Sequence, residues 1–352
     1  MTTQNRYSRQ SLLPEVGEAG QAALAAGRVL IVGVGGLGCP AALYLAGAGV
    51  GRIGLLDGDT VDQSNLQRQV LFTEADCGQP KVQAAAIRLR ALNSSIHIEA
   101  HQAFASAENI AGLLADYDVV IDGSDNFACK FLLNDAAVKL GKPLVYGALF
   151  TLEGQVAVFD AANGSACYRC LYPEPPKAAI PNCAEAGVIG ALAGTVGSLQ
   201  ALEAIKLLVN SPALPPSRGV LWTLDARDLS SRRLRLPKRH DCAICSVPSA
   251  DIVLQGEAPM CASDLEIAPD QLDPQHDLLI DVREPHEHQA GHPPGCYALP
   301  LSRLREGTID ALPAARRHIC FCTAGIRSRE AASRLREAGH TSVYSLRGGW
   351  SP

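Results

Sequence analysis

The stretch from Arg28 to Asp57, with VLIVGVGGLGCPAALYLAGAGVGRIGLLD at its core, restricts the fold more than any other part of the chain. Val29–Val32 are four consecutive apolar residues, three of them β-branched, a pattern that predicts a strand buried on both faces. Gly33, Gly35, Gly36 and Gly38 follow, then a helix-compatible run over Ala41–Ala48, then a second apolar strand over Ile53–Leu56 that ends in Asp57. Strand, glycine turn, helix, strand and terminal acid form a dinucleotide-binding fingerprint. Glycines let the backbone approach a phosphate, the helix N-terminus supplies N–H donors, and the acid accepts from ribose hydroxyls. The fingerprint predicts nucleotide binding and leaves open which nucleotide.

With 352 residues, two domains are expected. A net charge of −5 and 47% hydrophobic residues suit a globular α/β protein and give no sign of nucleic-acid binding. The opening segment MTTQNRYSRQ is polar and does not read as a secretory leader. Val188–Val209 is long enough to span a bilayer, but Gln200, Glu203 and Lys206 recur at three-residue spacing. The expectation is a core helix with one polar edge, in a soluble, cytoplasmic protein. Twelve cysteines without a secretory leader point to metal or redox chemistry rather than disulfides. Cys39, Cys77, Cys129, Cys261, Cys296 and Cys320 are read as buried or incidental thiols.

Further along, Gly58-Asp59-Thr60 and Ser64-Asn65-Leu66-Gln67-Arg68-Gln69 form a polar segment where a dehydrogenase would move directly to its next helix. Pro80 suits the first turn of a helix running to about Leu92. A short strand is expected over Ile96–Glu99, a helix over Asn109–Leu114, and an apolar strand over Asp118–Asp122. That last strand delivers Ser124, Asp125 and Asn126 to its carboxyl end, where ligands bind in open α/β sheets. A helix to about Leu140 and a strand over Leu144–Ala148 continue the alternation, and Gln155–Phe159 reads as an antiparallel extension. Asn65, Arg68, Lys81 and Asp125 fall along the rim that the glycine loop defines. Cations there offset triphosphate charge, and an aspartate can hold a Mg ion, so the reading moves from NAD towards ATP.

RYSRQ, GVGGLGCP, LLDGDTVDQSNLQRQ, GQPK, GSDN, CYRC, PNCAEAGV and GSLQALEAIK resemble the MoeB/ThiF family, bacterial relatives of ubiquitin-activating enzymes, over residues 6 to about 245. The resemblance implies a Rossmann-like adenylation domain with a mixed sheet. It sets Gly33, Gly35, Gly36, Asp57 and Asp59 against the nucleotide, with Ser64, Asn65, Leu66, Gln67, Arg68 and Lys81 around the phosphates. Asp125 is implied as the Mg-linked catalytic acid with Asn126 beside it. Arg9 is implied to reach into a partner's ATP site, hence a homodimer. The pairs Cys167/Cys170 and Cys242/Cys245 can each place two thiolates on one ion, and together they complete a tetrahedral structural zinc site. Between the pairs, a proline-rich stretch without periodicity carries Cys183; in the family this crossover loop covers the adenylate site and its cysteine is proposed to join thioester or disulfide chemistry.

Residues 246–262 read as a linker, closing a first domain at 1–245 and opening a second at 263–352. There, a strand over His276–Asp281 precedes Val282-Arg283-Glu284-Pro285, and His318–Cys322 leads into Thr323-Ala324-Gly325-Ile326-Arg327-Ser328 and a helix to Ala338. A thiol at a strand end, ringed by loop amides, beside an arginine and at a helix N-terminus is expected to be acidified. LLIDVREPHE, CTAGIRS and Leu346-Arg347-Gly348-Gly349-Trp350 resemble a rhodanese domain, a small α/β unit whose C-x-x-x-x-R loop has the length associated with sulfur transfer. The resemblance implies a persulfide on Cys322, stabilised by Arg327, and an architectural Asp281–Arg283 pair; any closing helix after the double glycine is short or missing. The two halves together imply adenylation of the C-terminal glycine of a small ubiquitin-like sulfur carrier ending in Gly-Gly, then sulfur transfer to give a thiocarboxylate. The donor is a molecule such as thiosulfate or a cysteine desulfurase. An NAD-dependent oxidoreductase and a non-catalytic carrier scaffold are the alternatives. Among pathways, the residues do not choose.

Overall fold

Strand β1, Arg28–Val32, explains how the first half of the chain is layered. Successive side chains of a strand point to opposite faces. Val29 and Ile31 enter one apolar cluster with Leu24, Leu45, Val82 and Ala201, while Leu30 and Val32 enter a second with Ile110, Leu133 and Phe159. Helices Gly17–Ala26, Gly38–Ala48, Lys81–Leu92 and Gly190–Val209 cover the first face, and helices Ile110–Ala115 and Phe127–Leu140 the second. The computed structural model describes residues 6–175, 187–255, 265–307, 312–323, 325–340 and 342–350. Their contacts separate two units, Met1–Gly256 and Glu257–Pro352.

In the first unit, β2 (Arg52–Leu56), β3 (His97–His101), β4 (Val119–Asp122) and β5 (Leu144–Phe150) join β1 in parallel, in the order β3-β2-β1-β4-β5. Beyond β5 the sheet turns antiparallel through β6 (Glu153–Phe159), β7 (Val220–Asp225) and β8 (Ser230–Arg235). The expected antiparallel extension is therefore present, and the sheet is mixed. The order reverses between β1 and β4, which places a crevice at their carboxyl ends. Gly33 sits there with φ +87°, a backbone that favours glycine, and a Cβ on it would lie 2.7 Å from the Gly123 carbonyl oxygen. Gly38 opens the following helix pressed against the same turn, since a Cβ there would overlap the Gly33 carbonyl.

Helix Gly190–Val209 is the core helix expected, and two residues of its polar edge, Gln200 and Glu203, are buried. Gln200 Nε2 donates to the carbonyls of Asp122 (2.7 Å) and Val145 (3.1 Å), and Glu203 accepts from the Ser217 amide at 2.8 Å. Spacing alone showed that these residues share a face but not that sheet carbonyls wait opposite. In the segment read as a linker, residues 246–251 are exposed, while Ile252 is buried and its carbonyl accepts from Lys139 Nζ at 2.6 Å.

The second unit carries a five-stranded sheet of β9 (Glu266–Ile267), β10 (Asp277–Asp281), β11 (Tyr297–Ala298), β12 (Arg317–Phe321) and β13 (Val343–Leu346). Its order is β11-β10-β12-β13-β9 and every pairing is parallel. Two apolar clusters, one around Ile280, Cys320 and Leu335 and one around Ile319, Phe321 and Leu346, divide its faces. Cys322 leaves the end of the central strand β12 and enters the turn that opens helix Ile326–Glu337.

Candidate active sites

At the carboxyl ends of β1, β2 and β4 lies a cavity of about 690 Å³, bordered by Gly33, Gly35, Gly36, Asp57, Asp59, Arg68, Lys81, Asp125 and Asn126. Lys81 is the first residue of its helix and only 8% of its side chain is exposed. Its Nζ donates to Asp59 Oδ2 at 3.0 Å. Burial works against its charge, but Asp57, Asp59 and Asp125 outweigh it and hold the ammonium above its ordinary value. A dehydrated cation facing a glycine turn is a site for polyphosphate oxygens. Asp57 accepts amide protons from Val34 and Asp59, both at 2.8 Å, and so holds the glycine loop to the loop after β2. Burial pushes its carboxyl up. Its remaining lone pairs are free to accept from a ribose.

Ser64, Asn65, Leu66 and Gln67 do not border the cavity. They form a short turn beneath Arg68: the Ser64 carbonyl accepts from Arg68 Nη1 at 3.0 Å, and the Asn65 carbonyl from the Arg68 amide at 3.0 Å. Asn126 caps helix Phe127–Leu140, its side chain accepting from the Cys129 amide at 2.8 Å. Arg9 is exposed on the short helix Ser8–Ser11 and does not border its own chain's cavity. Cys183 lies outside the described residues.

Sequence reasoning missed Lys130. Its buried Nζ donates to Asp122 Oδ2 (3.0 Å) and to the carbonyls of Ser124 (2.9 Å) and Gly147 (2.8 Å), fixing the loop that carries Asp125. A lone lysine inside the apolar run FACKFLL was the available signal.

Cys167, Cys170, Cys242 and Cys245 converge, with Sγ–Sγ distances of 3.9 Å (Cys167–Cys170), 3.6 Å (Cys167–Cys242) and 3.5 Å (Cys170–Cys245). Four sulfurs at 2.3 Å around a tetrahedral ion stand about 3.8 Å apart, so the geometry fits zinc. Burial first, then the neighbouring sulfurs, push the Cys167 thiol up, so packing four thiolates here calls for a cation. The Arg239 amide donates to Cys170 Sγ at 3.4 Å, a contact that supports a thiolate ligand.

In the second unit Cys322 is buried, and its Sγ accepts from the Gly325 amide at 3.1 Å. Ser328 Oγ stands 3.6 Å from the sulfur and 2.8 Å from Ser345 Oγ. Arg327 is paired in this structure: its Nη1 and Nη2 donate to the two oxygens of Glu287 at 2.6 and 2.7 Å. Hydrogen bonding to Arg327 holds the Glu287 carboxyl down at about 2. Glu287 was missed because the motif spacing names the loop, not the side chain facing it. Asp281 and Arg283 form a buried bidentate pair, Nε to Oδ1 at 2.9 Å and Nη2 to Oδ2 at 2.7 Å, with the guanidinium 5.0 Å from the Trp350 ring centre. That is the architectural arrangement expected.

Residues 7–246 match the ThiF family and residues 264–352 the rhodanese-like domain. The chain is 45% identical to "Adenylyltransferase and sulfurtransferase MOCS3" of Anopheles gambiae, over 82% of this chain and 70% of that protein. It is 40% identical to "Probable adenylyltransferase/sulfurtransferase MoeZ" of Mycobacterium tuberculosis (strain H37Rv), over 98% and 91%. It is 48% identical to "Sulfur carrier protein adenylyltransferase" of Thermus thermophilus, over 68% of this chain and 90% of that protein. Among solved structures, E. coli MccB crystallised with MccA-N7isoASN superposes with a TM-score of 0.62 at 22% identity, over 70% of this chain and 76% of that one, a likeness of fold.

Proposed function

The chain belongs to the ThiF family and carries a rhodanese-like domain, and from that premise we propose that it adenylates the C-terminal glycine of a ubiquitin-like sulfur carrier and then converts it to a thiocarboxylate. It is an adenylyltransferase and sulfurtransferase. The observation that supports the two-step reading best is the presence, on one chain, of a cation-lined nucleotide cavity and a buried thiol at a strand-to-helix turn.

In the first step a carrier carboxylate oxygen attacks the α-phosphorus of ATP, and pyrophosphate leaves with the electron pair of the broken P–O bond. Lys81 and Arg68 offset the charge that gathers on the leaving phosphates. Asp125, exposed at the cavity rim, would hold a Mg ion that draws negative charge from the phosphate oxygens. Arg9, which does not border its own cavity, is assigned to the site of a second copy in a cytoplasmic homodimer. The four cysteines would hold a structural zinc, closed to substrate because all four positions are filled.

In the second step the terminal sulfur of a Cys322 persulfide, charged by a donor such as thiosulfate or a cysteine desulfurase, attacks the acyl-adenylate carbonyl. AMP leaves and an acyl disulfide remains. A second thiolate, for which Cys183 is the candidate, attacks the Cys322 sulfur. The carrier thiocarboxylate departs and a Cys183–Cys322 disulfide forms, which an external dithiol reduces. The test is ATP–pyrophosphate exchange with carriers ending in Gly-Gly, followed by mass spectrometry of the carrier. Carrier-dependent exchange and a thiocarboxylate that disappears in Cys322→Ala, with exchange retained, is the expected result. Absence of exchange with every carrier overturns the adenylation step, and exchange without thiocarboxylate overturns the second.

A further inference from the structure

Where helix Pro285–Ala290 ends and the chain runs towards β11, His288, His292 and Cys296 recur at every fourth residue. One ligand atom from each lies within 4.8 Å of the other two. The hydrogen bonds around the two imidazoles settle which nitrogens are available. His288 Nδ1 lies 2.8 Å from Asp281 Oδ2, and His292 Nδ1 lies 2.9 Å from the His288 carbonyl oxygen. A carboxylate and a carbonyl only accept, so both Nδ1 atoms carry a proton, which leaves Nε2 as the ligand atom of each ring. This is the tautomer a metal ion requires, and a carboxylate behind a ligating histidine is a recurrent support for one. Asp281 is itself fixed: it is fully buried, and Arg283 donates to both of its carboxylate oxygens. Cys296 is half-buried and His292 exposed, so an ion has access from solvent.

We propose that His288 Nε2, His292 Nε2 and Cys296 Sγ form a second metal site, distinct from the four-cysteine cluster, that takes a borderline-soft divalent ion of the zinc class. Two imidazoles and one thiolate select such an ion over Mg or Ca. Three protein ligands leave a fourth position for water or an exchangeable ligand, so the site is open where the cysteine cluster is closed. The rings now stack, with centres 3.9 Å apart and planes 12° from parallel. Parallel rings cannot both direct in-plane lone pairs at one ion. Binding therefore turns the exposed His292 ring, leaves His288 on Asp281, and ties the end of helix Pro285–Ala290 to the loop at Cys296.

The test is titration of the zinc-loaded full-length chain with Co(II), followed by absorption. The expected result is one added equivalent, tetrahedral in its d–d bands, with the charge-transfer intensity of a single thiolate. His292→Ala and Cys296→Ser each weaken it at least ~10-fold, the scale of losing a ligand or its support. Thermal melting of both variants checks that the fold persists, and Cys322→Ala leaves the titration unchanged. Four observations each overturn the proposal: no added equivalent, a four-thiolate spectrum from displacement at the cysteine cluster, binding indifferent to both variants, or binding lost in Cys322→Ala.

Discussion

Replacing Lys81 by Met separates a phosphate-binding cation from a merely structural one. The ammonium is almost dehydrated and faces the cavity, with Asp59 Oδ2 at 3.0 Å. A single preorganised charged donor aimed at developing charge contributes about 2.7–4 kcal/mol to the transition state, equivalent to a ~10²–10³-fold loss of rate on its removal. Carrier-dependent ATP–pyrophosphate exchange should therefore fall by that factor. Persulfide loading of Cys322 serves as the internal control and should not change. A second readout comes from Asp57, whose carboxyl burial pushes up and Lys81 pulls down. Without Lys81 its folded value rises further above the unfolded one. Stability linked to such a group is fully present below the unfolded value near 4 and is lost as pH rises through the folded value. Lys81→Met should thus lose more melting temperature than the parent chain between pH 4 and 7. Less than a tenfold loss of exchange with an intact fold would refute the phosphate role and leave Lys81 as a partner for Asp57 and Asp59.

Gly33→Ala places a Cβ 2.7 Å from the Gly123 carbonyl oxygen at φ +87°, a strain of at least about 1–2 kcal/mol, and should lower exchange roughly tenfold or more, read as a rise in the KM for ATP. Cys242→Ser should release one zinc equivalent by elemental analysis and lower the first unit's melting temperature by roughly 10 °C, leaving Cys322 loading intact; retained zinc would count against the four-cysteine site. Asp281→Ala strands the buried Arg283 guanidinium and should cost about 3–5 kcal/mol in denaturant unfolding of the second unit, whereas a loss below ~1 kcal/mol would mean the pair is solvated.

Four of the five strands in the parallel half of the first sheet were legible as short, mostly buried apolar runs, whereas β3, HIEAH, is polar and only Ile98 in it is buried. The glycine loop, Asp57 and Lys81 were legible because a motif fixes backbone position, and these groups act close to the backbone. What escaped was long-range pairing. Lys130 reaches Gly147, 17 residues on, and Gln200 reaches Asp122, 78 residues back. Glu287 meets Arg327 across 40 residues. No local period encodes such meetings. Asn126, taken from a motif, borders the cavity and also caps a helix, a second role the motif does not state.

Among the described residues, strand β8 pairs only with β7, and it exposes every residue. An unpaired strand edge is a template on which further chains can add, and natural sheets disarm it with charge. Arg232, Arg233 and Arg235 place three cations on a six-residue edge. Two copies brought edge to edge would set those cations against each other, so colloidal stability at this border is electrostatic and weakens as salt screens it. The same three residues leave the border open to one kind of addition, a strand that brings carboxylates of its own.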